Sequence, residues 1–299
     1  MPPRGPVPNF PLHDKIVLVT GGGPGIGLAF SKACHALGAR VVIGDLKLVP
    51  EAETYISSTD NETIVFEHCD VSSWRDLHNV ITASVRHFGA VPDVYAPVAG
   101  VFEPRWSNFW DDTENDDGYK LFRINVDHPI KLTRLAMRAL LGAGKQGVLC
   151  LVASTAGIRA SYFASLYTAS KHAIVGFAKA MGQADGDEGV KIVCILPGTV
   201  ITPLWTDRED QVAAEAKFVM RKYLRAEDVA EVMVKMVESE EFGGGACVLK
   251  TPYEESVLDP GHVKQLEATN GHDPSPRPDP DLGRIRGILD QERERPWSC

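Results

Sequence analysis

The chain has 299 residues, of which 44% are hydrophobic and 24% charged, with a formal net charge of −9. That composition is ordinary for a globular protein in water, and the length allows one large α/β domain or two small ones. The acidic balance, without any basic cluster, argues against a nucleic-acid partner. No apolar stretch is long enough to cross a bilayer, and MPPRGPVPNFPLHD has prolines where a signal peptide needs an apolar run, so neither a membrane nor export is expected.

Residues 1–11 form an N-terminal extension. Strand-like apolar runs and helix-periodic segments then alternate. KIVLVTG (15–21) is followed by a helical 25–37, and ARVVIGD (39–45) and TIVFEHCD (63–70) by a helical 74–88. DVYAPVAG (93–100) precedes the helical 117–140, GVLCLVAS (147–154) the helical 167–185, and VKIVCILPG (190–198) the helical 226–238; ACVLK (246–250) is the seventh strand. Runs this continuously apolar predict strands buried on both faces, as in a parallel sheet covered by helices. The expected fold is a Rossmann-type, doubly wound α/β domain with seven parallel strands over 12–255. The tail, 256–299, carries DPSPRPDPDLGRIRG, whose proline and charge predict an extended or disordered arm.

Two segments interrupt the alternation, VFEPRWSNFWDDTENDD (101–117) and TPLWTDREDQVAAEAKF (202–218). Each leaves the C-terminal end of a strand, where open α/β sheets bind ligands. A solvated loop is the plain alternative. Large aromatics are costly to leave in water, so Phe102, Trp106, Trp110 and Trp205, with Tyr162, are expected to line a substrate cleft. The six cysteines, at 34, 69, 150, 194, 247 and 299, show neither a CxxC nor a His pair at metal spacing. Free thiols in a reduced, cytoplasmic protein without a metal are expected.

VTGGGPGIGLAF (19–30) lies between the first strand and its helix, with Gly21, Gly25 and Gly27 spaced G-x-x-x-G-x-G. The spacing is not GxGxxG, but it serves the same physics: a tight turn, close backbone approach to a pyrophosphate, and N–H groups at a helix N-terminus. Such a turn can also be purely structural. Asp45 closes the second strand 18 residues after Gly27, where an acid can accept both hydroxyls of an adenosine ribose and repel a 2′-phosphate. This favours NAD(H) over NADP(H), although Lys47 can partly offset the repulsion. Asp70 and Val71, ending the third strand, are placed to touch the adenine.

Ser154 ends the fifth strand; Tyr167 follows 13 residues later and Lys171 four after that, in SLYTASKHAIVGF. Positions i and i+4 share a helix face, so phenol and ammonium can lie side by side. A phenol of pKa about 10 is a poor base at neutral pH, and a neighbouring cation lowers that value. Ser154 can then hydrogen-bond the substrate oxygen. A lone YxxxK is weak; with the glycine turn and Asp45 it is specific.

Over residues 12–255 this combination resembles the short-chain dehydrogenase/reductase family, in the single-domain branch with a TGxxxGxG turn, here Thr20 to Gly27. YTASKHAIVGF is similar to the 15-hydroxyprostaglandin dehydrogenase-like, NAD-dependent members. The resemblance implies that Ser154, Tyr167 and Lys171 are catalytic and that Asn125, in FRINVDHP, completes a proton relay through water to the lysine. It implies dinucleotide contacts from Thr20, Gly21, Gly25, Ile26 and Gly27, and from the backbone of Ala99 and Gly100. Pro197, Gly198, Val200 and Thr202 would meet the nicotinamide carboxamide. It also implies a homodimer or homotetramer paired through the helices of 117–140 and 167–185. One departure is Pro97-Val98-Ala99-Gly100 where the family usually has NNAG, which removes polar braces; another is the long acidic insertion that follows. The expected activity is NAD-dependent oxidoreduction (EC 1.1.1.-) of a secondary alcohol or ketone in a mainly apolar, ring-containing small molecule. The alternative keeps the fold as a non-redox sensor or scaffold, or as a biosynthetic reductase that also guides cyclisation.

Overall fold

The computed structural model describes residues 4–59, 63–112, 118–206, 223–258, 282–295 and 297, the side chains of 205, 206 and 282 excepted. The expected strands form as β1 (Ile16–Thr20), β2 (Arg40–Asp45), β3 (Ile64–His68), β4 (Val94–Pro97), β5 (Gly147–Val152), β6 (Val190–Pro197) and β7 (Cys247–Lys250). An eighth, β8 (Glu255–Val257), pairs antiparallel with β7, so the sheet has eight strands where seven were expected. Its three residues, two of them exposed, have no apolar run to announce them. The sheet order is β3-β2-β1-β4-β5-β6-β7-β8, and every pairing except the last is parallel. The chain therefore leaves β1 to one side for β2 and returns to the other for β4. A doubly wound sheet opens its ligand crevice at that reversal, beyond the C-terminal strand ends.

Helices α1 (Gly25–Ala36), α2 (Pro50–Ser58), α3 (Trp74–Phe88), α4 (Lys120–Phe122), α5 (His128–Gly142), α6 (Ser165–Ala180), α7 (Gln183–Glu188), α8 (Pro203–Thr206), α9 (Ala226–Glu238) and α10 (Leu282–Arg293) follow in chain order. Alternate strand residues face opposite layers. Val17, Val19, Val41, Ile43, Val193 and Ile195 share one core with α1 and α9. Leu18, Val42, Tyr95, Leu149, Ile192 and Cys194 share the other with α3, α5 and α6.

Three helical expectations change. α2 buries only Ala52, too little to give a periodic signal. The segment 117–140 is α4 and α5 joined by a π-turn, Arg123–Asp127, and the segment 167–185 divides into α6 and α7. The tail is not extended throughout, because α10 buries Leu289 and pairs Glu292 with Arg134 and Arg138 of α5.

Candidate active site

The glycine turn joins β1 to α1 in front of the reversal. Gly21 has φ +74°, and a Cβ there would lie 2.4 Å from the Ala99 nitrogen. A Cβ on Gly27 would lie 2.0 Å from the Gly21 oxygen. Both glycines therefore let protein backbone meet backbone. Gly25, at φ +56°, differs: its missing Cβ would face the Thr202 side chain at 3.0 Å across the cleft. Pro24 gives α1 no side-chain cap, and Gly25, Ile26 and Gly27 line the cleft, so the first amides of the helix face it. That donor set fits a diphosphate.

Asp45, at the end of β2, also lines the cleft; its Oδ2 accepts from the Gly23 amide at 2.9 Å and its Oδ1 from the Leu46 amide at 2.7 Å. A carboxylate held by two amides retains acceptor capacity for a diol. Lys47 is not among the cleft-lining residues. Asp70 and Val71 line the same end, with the Asp70 carboxyl held below its usual range, chiefly by the Ser72 hydroxyl.

Beyond β4, Val98 and Ala99 each donate a backbone amide to the Thr20 oxygen at 2.9 Å. Backbone bonds thus brace this corner, where PVAG stands in place of the asparagines that the resemblance implied. Ala99, Gly100, Pro197, Gly198, Val200 and Thr202 all face the cleft, whose volume is about 630 Å³. Thr20 does not: it is fully buried, and its hydroxyl bonds His128 Nε2 at 2.8 Å.

At the centre, Ser154 caps a short 3₁₀ turn (Thr155–Gly157) by accepting from the Ala156 amide at 3.1 Å, and it lines the cleft together with Tyr167 and Lys171. Lys171 lies one turn further along α6, with its Nζ 5.5 Å from the Tyr167 ring centre and donating to the Val152 carbonyl at 3.0 Å. Burial pushes the phenol up to about 12, only partly opposed by Ser154, and pushes the Lys171 ammonium down to about 8. The ammonium was expected to lower the phenol. In the protein alone desolvation sets the phenol, and the cation bonds main chain instead of the phenol oxygen.

Asn125 sits in the π-turn, and its carboxamide is fully engaged: Oδ1 accepts from the Val101 amide at 2.9 Å, while Nδ2 donates to the Val101 carbonyl at 2.9 Å and to Ser170 Oγ at 3.2 Å. Instead of reaching Lys171, the side chain straps residue 101 to α6. A Cβ on Gly100 would lie 3.4 Å from Asn125 Oδ1 and 3.7 Å from Lys171 Nζ, so this glycine leaves a gap between them.

Of the expected aromatic wall, Phe102 meets the Tyr167 ring edge-on at 4.7 Å, and Trp106 lines the cleft with the Lys120 ammonium 5.8 Å above its ring. Trp110 and Tyr162 are not cleft-lining. They are exposed and pack against each other with ring centres 4.7 Å apart and planes tilted by 51°, with Trp110 Nε1 donating to the Tyr162 carbonyl. The Trp205 side chain lies outside the described residues. Glu103, Lys120, His128 and Ser170 were missed, because each acts across a long sequence separation that no motif encodes. Among the described residues no cluster of His, Cys, Asp or Glu is arranged to hold a metal, and no helix is long and apolar enough to cross a membrane. Cysteines 34, 69, 150, 194 and 247 are buried free thiols; Cys299 lies outside the described residues.

The short chain dehydrogenase family model matches residues 15–213. L-fucose dehydrogenase of Bos taurus is 31% identical over 194 residues, covering 64% of this chain and 68% of the relative. The 15-hydroxyprostaglandin dehydrogenase [NAD(+)] of Mus musculus is 27% identical over 252 residues, 78% and 88% of the two chains. Among solved structures, levodione reductase superposes with a TM-score of 0.68 at 24% identity, over 80% of this chain and 97% of its own, a likeness of fold. A match over most of the chain, on a doubly wound sheet with the glycine turn and the Tyr-Lys helix at its open edge, makes this protein a member of the short-chain dehydrogenase/reductase family of oxidoreductases.

Proposed function

We propose that the protein is an NAD(H)-dependent alcohol dehydrogenase or ketoreductase (EC 1.1.1.-). Its substrate is a secondary alcohol or ketone carried by a mainly apolar, ring-containing small molecule. The observation that carries this reading is the gathering of Ser154, Tyr167 and Lys171 in one cleft that runs on to the uncapped N-terminus of α1. When bound, the dinucleotide accepts a hydride from the carbinol carbon or returns it to the carbonyl.

The amides of Gly25, Ile26 and Gly27 would hold the diphosphate and Asp45 the adenosine ribose, the carboxylate favouring NAD over NADP by repelling a 2′-phosphate. Tyr167 gives its proton to the carbonyl oxygen in reduction and takes the hydroxyl proton in oxidation. Ser154 orients that oxygen, and Lys171 supplies positive charge beside the phenolate. The gap at Gly100 is where a water could connect Lys171 with the π-turn, which gives Asn125 a supporting place in the relay. Phe102 and Trp106 select an apolar ring. Assembly as a homodimer or homotetramer belongs to the same proposal; because α10 lies on α5, the pairing face would include α10. The buried thiols suit a reducing, cytoplasmic setting.

The test is Tyr167→Phe, assayed with NADH on a panel of cyclic ketones and alcohols. Turnover is expected to fall about 10²–10⁴-fold, while NADH affinity, followed by fluorescence titration, stays within about twofold. Near-normal rates in the variant would remove Tyr167 from the chemistry. Tight NADH binding with no turnover by the wild-type protein across the panel would favour the non-redox role.

A further inference from the structure

We propose that Glu103 is a positioning residue for Tyr167: from the cleft-wall loop, its buried side chain caps α6 at the Tyr167 amide and fixes the turn that carries the phenol. Glu103 is 3% exposed, and its Oε1 accepts from the Tyr167 backbone N–H at 2.8 Å. α6 needs such an acceptor, since Ala164 at its N-cap makes no side-chain bond and the first amides of a helix lack internal acceptors.

The loop holds Glu103 against its own local preference. Its φ is +35°, and it is one of two non-glycine residues with positive φ among those described. Pro104 follows, and a residue before proline prefers extended backbone. A conformation this unfavourable persists where the surroundings fix it. They do: Asn125 grips both polar backbone atoms of Val101, Phe102 lies against the Tyr167 ring, and Ser107 Oγ accepts from the Leu121 amide. Phe102 and Glu103 thus hold Tyr167 by its ring and by its backbone, and link the wall that meets substrate to the helix that supplies the proton. The inference rests on the oxidoreductase proposal only in giving Tyr167 that proton-transfer task.

The experiment uses the full chain labelled with ¹³Cζ-tyrosine, with the Tyr167 signal identified from Tyr167→Phe. Glu103→Gln keeps an acceptor oxygen and Glu103→Ala removes it; Ser154 and Lys171, the polar groups that face the phenol, stay in place. Glu103→Ala is expected to move the Tyr167 resonance and lower its titration midpoint by about one pH unit as the turn loosens and the phenol gains water. Glu103→Gln should hold both near wild type. On any ketone the wild type reduces, Glu103→Ala should lose about tenfold in kcat with the NADH Kd unchanged. If Glu103→Ala does not fold, Glu103→Asp, which retracts the carboxylate by one methylene, takes its place in the same measurement. An unmoved Tyr167 signal in the Ala or Asp variant overturns the proposal. So does an equal shift in Gln and Ala, which would mark charge alone as the cause. Because the resonance needs no turnover, failure of the oxidoreductase proposal would be seen separately, in the ketone panel.

Discussion

At the scale of single residues, a side chain's position followed from spacing when it stood on regular structure. Asp45 ends a strand, and Tyr167 and Lys171 share a helix face, so their sequence separation converts directly into geometry. Thr20 and Asn125 stand at a strand end and in a π-turn, where the direction of the side chain depends on tertiary partners, and both are taken up by protein partners instead of lining the cleft. The partner of Thr20 is His128, a residue no motif marked. His128 Nδ1 lies 3.2 Å from the Ile124 carbonyl and must carry the proton, which leaves Nε2 to accept from the Thr20 hydroxyl. Burial pushes this imidazole down to about 3, so it stays neutral in the folded protein throughout the mildly acid range. Between about pH 6.5 and 3 the unfolded chain binds a proton that the folded chain refuses, and stability falls as pH falls, by up to about 5 kcal/mol over the whole window. His128→Gln, which can still accept from Thr20, should therefore flatten the slope of stability between pH 7 and pH 5 in urea unfolding. Equal slopes in the two proteins would mean that His128 is not the neutral, buried group described.

At the scale of elements, the seven parallel strands were legible because each is a short, almost wholly apolar run bounded by turn residues. β8, α2 and the π-turn were not. The first two bury too little to impose a period, and a π-turn differs from an α-helix only by one added residue per turn. The glycine turn was legible as a motif, yet its structural and ligand-facing parts separate only in three dimensions. Gly27→Ala must force the start of α1 away from the Gly21 carbonyl, a backbone atom with nowhere to go, and should destabilise by about 1–3 kcal/mol. Gly176 is the matched control: it lies exposed within α6, and an added Cβ there meets nothing within 4 Å. Gly176→Ala should stabilise by about 0.5–1 kcal/mol. Thermal unfolding of the two variants beside wild type should give shifts of opposite sign. A neutral Gly27→Ala would show that the β1–α1 approach is looser than described.

At the scale of the molecule, the tail departs most from what its composition implies. Proline and charge argue for an arm without structure, but α10 has the few groups it needs to dock. Leu289 enters the core layer shared with α5, and Glu292 lies between Arg134 and Arg138. Arg293 pairs with Glu188 of α7 where both side chains are below 10% exposure. Beyond the helix, a Cβ on Gly142 would lie 2.3 Å from the Arg295 carbonyl, and Trp297 stacks on His78 at 4.6 Å with its ring nitrogen toward Thr82. The Arg134 and Arg138 pairs, part-exposed on the arginine side, contribute little individually, and the buried Arg293–Glu188 pair loses much of its attraction to its own desolvation, so the docking should depend mainly on Leu289 and Trp297. Leu289→Ala removes about 2 kcal/mol or more of packing if the site does not collapse. The loss in global stability cannot exceed the free energy with which α10 docks, since beyond that point the helix simply detaches. Undocking is then a local event: amide exchange should accelerate across 282–293 and at the end of α5 near Gly142, while the amides of β1, β4 and β5 keep their protection. Unchanged exchange in α10 would mean that Leu289 does not hold it. Accelerated exchange throughout the sheet would instead make the C-terminal helix integral to the fold that carries the site.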